Sequence, residues 1–363
     1  MASCQQQSIE RAQPSVQMSL SPQLLDKTMP STSSLTQEIR IGLLLPLSGA
    51  QAELGQTLEN AITLGFLESA QSNTKLLPFD TCSAPDGAQQ AMQKALSAGV
   101  HAIVGPLTAT ETAAIQGLSS LPILTLSNDR SVANEHVFMF GIMPDDQVRA
   151  LTDHLQSKAI RKIAVLAPAT PYGNHVAQLF QTAADQKGIQ VQLTSYSQQN
   201  LQNPEFLAPL VGQNIGGFVI LESGQAATAL ASLLAYHNLI SPEITCYGLD
   251  NWRTSQELAT NPLFAGATFA ALDATSFAKF ESHYMQAYGQ QPQIIAGIGY
   301  DAIRVALFAL STGKMNKALI TPDGFRGVYG VLRLLPSGTN QRTVQLYTFT
   351  QGQTLPTQAP IKK

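Results

Sequence analysis

From Glu38 onward the chain alternates short, nearly continuous apolar runs with stretches of helical spacing, and this alternation limits the fold more than any other feature. Ile39-Arg40-Ile41-Gly42-Leu43-Leu44-Leu45-Pro46 reads as a strand buried on both faces, the signature of a parallel sheet covered by helices. Leu47-Ser48-Gly49-Ala50 is a turn, and residues 56–70 carry Leu58, Ile62, Gly65 and Phe66 at helical spacing. Further strands are expected over 75–79, 100–105, 122–126 and 137–140, with helices over 86–98 and 110–118 between them. After Pro144 the pattern restarts. Strands are expected over 162–167, 189–194, 217–221 and 244–248, and helices over 148–157, 174–187, 204–213 and 226–237. Two successive rounds of strand and helix predict two doubly wound α/β lobes with parallel sheets. The end differs: 277–288 and 298–310 read as consecutive helices. Two strands, 328–335 and 342–350, are joined by Pro336-Ser337-Gly338-Thr339, a hairpin signal.

Composition sets limits on partners. The 363 residues suffice for two domains at roughly 150 residues each. Only 12% are charged, against about a quarter in an average domain, and net charge is −3. No basic balance marks a nucleic-acid binder, and 44% hydrophobic residues argue against a disordered body. No run is read as matching the 18 or more apolar residues of a spanning helix. Residues 1–36 are rich in Ser, Gln, Pro and Thr and read as a disordered N-terminal tether. Met1-Ala2-Ser3-Cys4 lacks the basic and apolar regions of a signal peptide. Ala2-Ser3-Cys4 is nevertheless similar to the end of a bacterial lipobox, without its usual Leu. The segment therefore reads either as a plain disordered terminus or as a tether behind a lipidated Cys4. The other cysteines, Cys82 and Cys246, fit neither a disulfide framework nor a metal spacing.

No catalytic constellation emerges. Gly297-Ile298-Gly299-Tyr300-Asp301-Ala302 formally fits a dinucleotide fingerprint, but it opens a helix without the preceding strand and the later acid that such a site needs. Close helix packing is the better account of its glycines. Phosphate-loop, nucleophile-elbow and HExxH motifs are absent, and the six histidines are scattered. Asp145-Asp146 reads as a helix start, since adjacent helical residues do not face each other. No cofactor, metal or enzymatic activity is expected. Binding geometry is present instead, because ligands of open α/β sheets sit beyond the carboxyl ends of strands. The loops there hold Ser48; Thr108, Ala109 and Thr110; Asn128, Asp129, Arg130 and Ser131; Tyr172; and Asp250 and Trp252. Alternative readings are a helix cap for Thr108 or Thr110, a surface ion pair for Arg130 and simple packing for Trp252.

Over about residues 38–352 the chain resembles type I periplasmic binding proteins of the leucine/isoleucine/valine-binding kind. The resemblance rests on the turn after the first strand with Gly55, on 78–86, and on Val104-Gly105-Pro106-Leu107. It continues through Pro171-Tyr172-Gly173, Tyr300-Asp301-Ala302 and Phe325-Arg326-Gly327-Val328-Tyr329-Gly330. It implies two lobes that close on a ligand by hinge motion. Lobe 1 is expected at 37–142 and 268–315, lobe 2 at 143–267 and 316–352, with a C-terminal tail at 353–363. It also implies that an acid at Asp250 holds a ligand ammonium, that Tyr172 lines the cleft and that Ser131 supplies a hydroxyl. Ala109 falls where such proteins place a serine, and Leu54 where they place an aromatic. Asp129 and Arg130 replace small residues, and Arg130 suits an anionic group. Cys82 matches a half-cystine whose partner position is Thr108, so that disulfide is lost.

Two functions follow from the resemblance. The first is a periplasmic receptor that passes an amino acid or small anionic ligand to an ABC permease. The second is a lipoprotein activator of a class A penicillin-binding protein in peptidoglycan synthesis, whose members carry such a domain behind a tether. Ser127-Asn128-Asp129-Arg130-Ser131-Val132-Ala133 is similar to segments of that group, and Gln5 after Cys4 is similar to outer-membrane sorting signals. Both readings imply a periplasmic location, with the outer membrane reached only through a lipid on Cys4 and with no nucleic-acid partner.

Overall fold

The apolar run after Glu38 forms β1 (Ile39–Leu45), whose last five residues are buried, as a strand covered on both faces requires. The computed structural model describes residues 38–70, 73–241 and 243–357. The expected tether, Cys4 within it and residues 358–363 lie outside these. The described residues fall into two compact units, one ending its first segment at Ile142 and resuming over Ala274–Gln341, the other holding Met143–Asp273 and the residues from Arg342 on.

In the first unit β1 is followed by α1 (Ala52–Ser69), β2 (Thr74–Asp80), α2 (Pro85–Ser97), β3 (Ala102–Val104), α3 (Ala109–Ile115), β4 (Ile123–Thr125) and β5 (Val137–Met139). The strands form one parallel sheet in the order β2-β1-β3-β4-β5. The chain first passes to the other unit between Ile142 and Met143.

The second unit starts with α4 (Pro144–Ser157), β6 (Lys162–Pro168), α5 (Pro171–Asp185) and β7 (Gln190–Tyr196). Where a helix is expected over 204–213, Pro204–Leu210 forms a 3₁₀ segment, and Pro209 inside it supplies no N–H for a regular ladder. Next come β8 (Phe218–Ile220), α6 (Gly224–Tyr236), β9 (Cys246–Gly248), α7 (Gln256–Thr260) and β10 (Thr268–Leu272). β10 pairs parallel to β9, so Thr268–Leu272 belongs to the second unit and the second crossing lies at 273–274, not at 268. Every residue of β10 is buried, but its five residues hold only two bulky apolar side chains, Phe269 and Leu272, too few to mark a strand.

The chain then returns to the first unit with α8 (Phe277–Tyr288), α9 (Ile294–Ser311), α10 (Met315–Leu319), β11 (Phe325–Gly327), β12 (Gly330–Leu334) and β13 (Asn340–Arg342). By length and hydropathy α9 could cross a membrane, contrary to the sequence reading, but two-thirds of it is buried inside the protein. Its glycines explain how. A Cβ on Gly299 would stand 3.0 Å from Leu58 Cδ2, and one on Gly65 of α1 would stand 2.9 Å from Ile303 Cγ2. The fingerprint-like motif is thus a close-packing surface between α1 and α9. The expected third crossing near 316 moves to 341–342. The segment between stays with the first unit because α10 packs on α9 and because buried Asp301 accepts the Val328 N–H at 3.0 Å with each carboxylate oxygen. Buried Asn340 anchors the last strand of this unit by donating to the carbonyls of Met139 at 2.8 Å and Gly141 at 3.0 Å.

The expected strand 342–350 is two strands. β13 completes the small sheet β11-β12-β13, and after Thr343 β14 (Val344–Thr350) joins the large sheet of the second unit. Part of the expected tail, β15 (Gln353–Pro356), pairs antiparallel with β14. The large sheet runs β15-β14-β10-β9-β8-β6-β7.

Trp252 is fully buried in the core of the second unit, stacked on Phe349 at 6.0 Å between ring centroids and edge-on to Phe264 at 5.1 Å. The ring lies against bare Gly248, where a Cβ would stand 2.2 Å from Trp252 Cδ2. Gly248→Ala is therefore expected to destabilise the second unit by about 1–3 kcal/mol, the usual scale of overpacking, read as a lower urea midpoint. Burial pushes the Cys246 thiol up to about 12, and only thiolate reacts readily. At pH 8, alkylation followed by peptide mapping should leave Cys246 unmodified in the folded chain and modify it after denaturation.

Candidate functional site

The candidate residues sit where strands end and helices begin. In the first unit the loop after β1 is shaped by a residue the sequence reading did not single out. Asp80, the last residue of β2, accepts the N–H of Leu47 at 2.9 Å, of Ser48 at 3.1 Å and of Cys82 at 2.8 Å, all on Oδ1. Ser83 Oγ then donates to the Ser48 carbonyl at 2.8 Å and accepts the Gln51 N–H at 3.0 Å. Ser48 is thus fixed through its backbone, half-buried at the carboxyl end of β1.

After β3, Thr108 is the helix cap of α3. Its hydroxyl accepts the Glu111 N–H at 3.2 Å and donates to Glu111 Oε2 at 2.7 Å, while its own N–H donates to the same oxygen at 3.0 Å. Glu111 is 1% exposed, and its other oxygen accepts the Thr81 hydroxyl. The Thr-x-x-Glu spacing of a capping box was open to reading in the sequence. Thr108 is committed to this network. Ala109 supplies no hydroxyl, and Thr110 alone of the three is exposed.

After β4, residues Asn128, Asp129, Arg130 and Ser131 are all exposed. Asp129 Oδ1 accepts the Ser131 N–H at 2.9 Å and opens a short 3₁₀ turn, Arg130–Val132. The Asp129 charge thus serves the local backbone.

In the second unit, Thr170 caps α5 by accepting the Gly173 N–H at 3.1 Å, and Pro171 opens the helix. This presents Tyr172 with 53% of its surface exposed. Partial desolvation, and then the negative charge of Asp250, hold the Tyr172 phenol above its ordinary pKa. The structure thus brings Tyr172 and Asp250 within electrostatic reach of each other. Trp252 is excluded from the site: its buried ring is core, and its Nε1 donates to the Glu222 carbonyl at 2.6 Å. Glu222, at the end of β8, was not anticipated, and burial raises its carboxyl pKa.

Asp250 is not an open acid. Arg253 donates to Asp250 Oδ1 through Nε at 2.9 Å and Nη2 at 2.7 Å, and the Leu272 N–H reaches the same oxygen at 3.2 Å. The Asp250 N–H donates to Gln147 Oε1 at 2.9 Å. The two charged side chains are only 12% and 17% exposed. Arg253 also donates to the Leu272 carbonyl and lies over the Tyr347 ring, 5.5 Å from its centroid. The spacing of three residues between Asp250 and Arg253 signals such a pair, but Leu272 and Tyr347 come from distant strands. Among the described residues no group of three or more His, Cys, Asp or Glu could hold a metal ion.

Asp80→Ala would leave three loop amides without their shared acceptor. It is expected to cost about 1–3 kcal/mol and to raise hydrogen exchange at Leu47, Ser48 and Cys82, measured amide by amide.

Comparison with known proteins bears on this arrangement. Residues 38–353 match the family described as periplasmic binding protein. The penicillin-binding protein activator LpoA of Haemophilus influenzae is 27% identical over 221 residues, 58% of this chain and 36% of that protein. The chain spans about a third of the length of that relative. The C-domain of the same protein, described as a regulator of PBP1A, superposes with a TM-score of 0.68 at 22% identity, covering 88% of this chain and 99% of that domain. An ABC transporter substrate-binding protein from Desulfitobacterium hafniense, in complex with leucine, superposes with a TM-score of 0.66 at 19% identity, covering 88% and 100%. With the match covering residues 38–353 and every loop described above, the chain belongs to the type I, leucine-binding-like periplasmic binding proteins.

Proposed function

We propose that the chain is a non-enzymatic periplasmic domain that regulates peptidoglycan synthesis by engaging a class A penicillin-binding protein. The observation that carries this reading is the state of Asp250. A receptor for free amino acids needs an available carboxylate for the ligand ammonium, and here that carboxylate is already neutralised by Arg253. Ala109 adds to the case, since the end of β3 offers no hydroxyl there. Sequence similarity to proteins named as penicillin-binding protein activators supports that choice of partner. Asn128, Asp129, Arg130 and Ser131 form an exposed stretch after β4. In this reading Cys4 carries a lipid and residues 1–36 reach from the outer membrane towards the synthase.

A periplasmic receptor for an amino acid or small anionic ligand, working with an ABC permease, is the second reading. Its support is the likeness in fold to a leucine-bound substrate-binding protein and the exposed Thr110, Arg130 and Tyr172 at strand ends.

The two readings part in one experiment. The purified chain should co-purify with the cell's class A penicillin-binding protein and raise its rate of glycan polymerisation or cross-linking in vitro. Free amino acids should leave the chain's melting temperature unchanged. Absence of any interaction with the synthase, together with a rise in melting temperature on adding one amino acid, would establish the receptor reading instead.

A further inference from the structure

The two large sheets end in four edge strands, and an edge offers a row of backbone N–H and C=O groups to any strand that can lie beside it. Three of the four are blunted or covered. β2 carries Lys75 and Pro78. β5 has three residues, and its Met139 N–H donates to the Gly338 carbonyl at 2.8 Å. β15 has four residues and ends in Pro356. β7 has seven residues with no proline and no charge, and no Asp, Glu, Lys or Arg occurs from Gly188 to Pro204. The Gln190 N–H donates to the Arg161 carbonyl at 2.8 Å, and the Tyr196 carbonyl accepts the Ala169 N–H at 2.8 Å. Gln190, Gln192, Thr194 and Tyr196 therefore turn their backbone groups to β6, and Val191, Leu193 and Ser195 turn theirs outward. Val191 packs on the core that α4 and α5 share with the sheet, so Leu193 and Ser195 stand on that same face. Leu193, at the centre of the strand, is 43% exposed.

We propose that the β7 edge docks a second copy of this chain, the two β7 strands lying antiparallel about a twofold axis at Leu193. This register engages all three outward residues. Leu193 faces Leu193 of the second copy, and Val191 and Ser195 face that copy's Ser195 and Val191. Each facing pair exchanges two N–H···O=C bonds, so the edge is its own complement, as a twofold interface requires. The two Leu193 side chains project from one face of the joined sheet and meet across the axis, covering the apolar surface that each leaves open alone. Charge favours a second copy as the occupant. An uncharged edge meets its own image with no like charges opposed, and it offers no charge with which to select a strand of different sequence. A contact built on one strand pair is small among protein interfaces, so the association is weak and depends on concentration. None of this depends on whether the domain serves a synthase or a permease.

Sedimentation equilibrium of the purified full chain over a series of concentrations reads the association directly. The wild type should pass from monomer to dimer as concentration rises and should stop at the dimer. Leu193→Lys sets two like charges against each other at the axis and should raise the dimer dissociation constant by about tenfold or more. Its circular dichroism should match the wild type, since the side chain is exposed. Leu193→Cys tests the register. Facing residues of a hydrogen-bonded antiparallel pair lie roughly 5.5 Å apart at Cα, a spacing that a disulfide spans. Under mild oxidation Leu193→Cys should run as a covalent dimer on a non-reducing gel. Gln192→Cys, which is directed to the other face, and the wild type with its own cysteines should stay largely monomeric on the same gel. A wild-type chain that is monomeric at every concentration, a dimer that Leu193→Lys leaves intact, or a Leu193→Cys chain that cross-links no better than Gln192→Cys would each overturn the proposal. A monomeric wild type whose co-purification with the synthase is lost in Leu193→Lys would assign the edge to a strand of that partner instead.

Discussion

A parallel strand covered by helices on both faces has little room for a charged side chain, so the charged groups of such a sheet are pushed to the strand ends. The loops there carry many backbone N–H groups that no ladder satisfies, and a buried amide without an acceptor is costly. This chain answers with carboxylates. Asp80 gathers three amides after β1, and Glu111 closes the cap of α3 while taking a hydroxyl from Thr81. Buried Asp146, in the first turn of α4, accepts the Arg342 N–H at 2.6 Å and pairs with Arg149. Asp301 holds the turn between β11 and β12. Asp250 ties its own loop to β10 through Leu272. A chain with 24 acidic residues in 363 thus spends several of them on its own backbone.

That use of charge limits which acids remain for a ligand. A carboxylate that already organises a loop or neutralises an arginine is a poor anchor for a diffusing ion, because binding must first undo what it stabilises. Asp129 serves a turn, Thr108 serves a capping box, and Asp250 serves Arg253. The side chains left outward at the strand ends are Thr110, Tyr172 and the exposed stretch Asn128–Ser131.

The alternating body was legible because buried strands and amphipathic helices leave periods in a one-dimensional pattern. β1, β2 and β6 appear close to where they were expected. The missed elements are too short or too mixed to show such a period. β10 has five residues with two alanines at its centre, β11 is a three-residue edge, and β13 and β14 share one continuous sequence pattern although they serve different sheets. Among the candidate residues, Tyr172 and Asp250 were singled out from their places after strands. Arg253 was passed over because a nearby cation on one chain segment is usually a solvated surface group, and only burial distinguishes the two cases. Trp252 was misplaced for a related reason: a large aromatic in a strand-end loop can face ligand or core, and the bare Gly248 that admits it to the core signals nothing by itself.

The sequence alone determined that the chain forms two rounds of doubly wound α/β structure with loops at the strand ends as the place for binding, because strand and helix periods and turn residues are local properties. The tertiary structure alone decided where the chain passes between the two units, which of the loop residues are spent on the fold, and that the acid at position 250 meets its counter-charge. Each of these depends on which distant segments become neighbours. Leu272 and Tyr347 reach Arg253 only after β10 and β14 have paired, and no local pattern encodes that meeting.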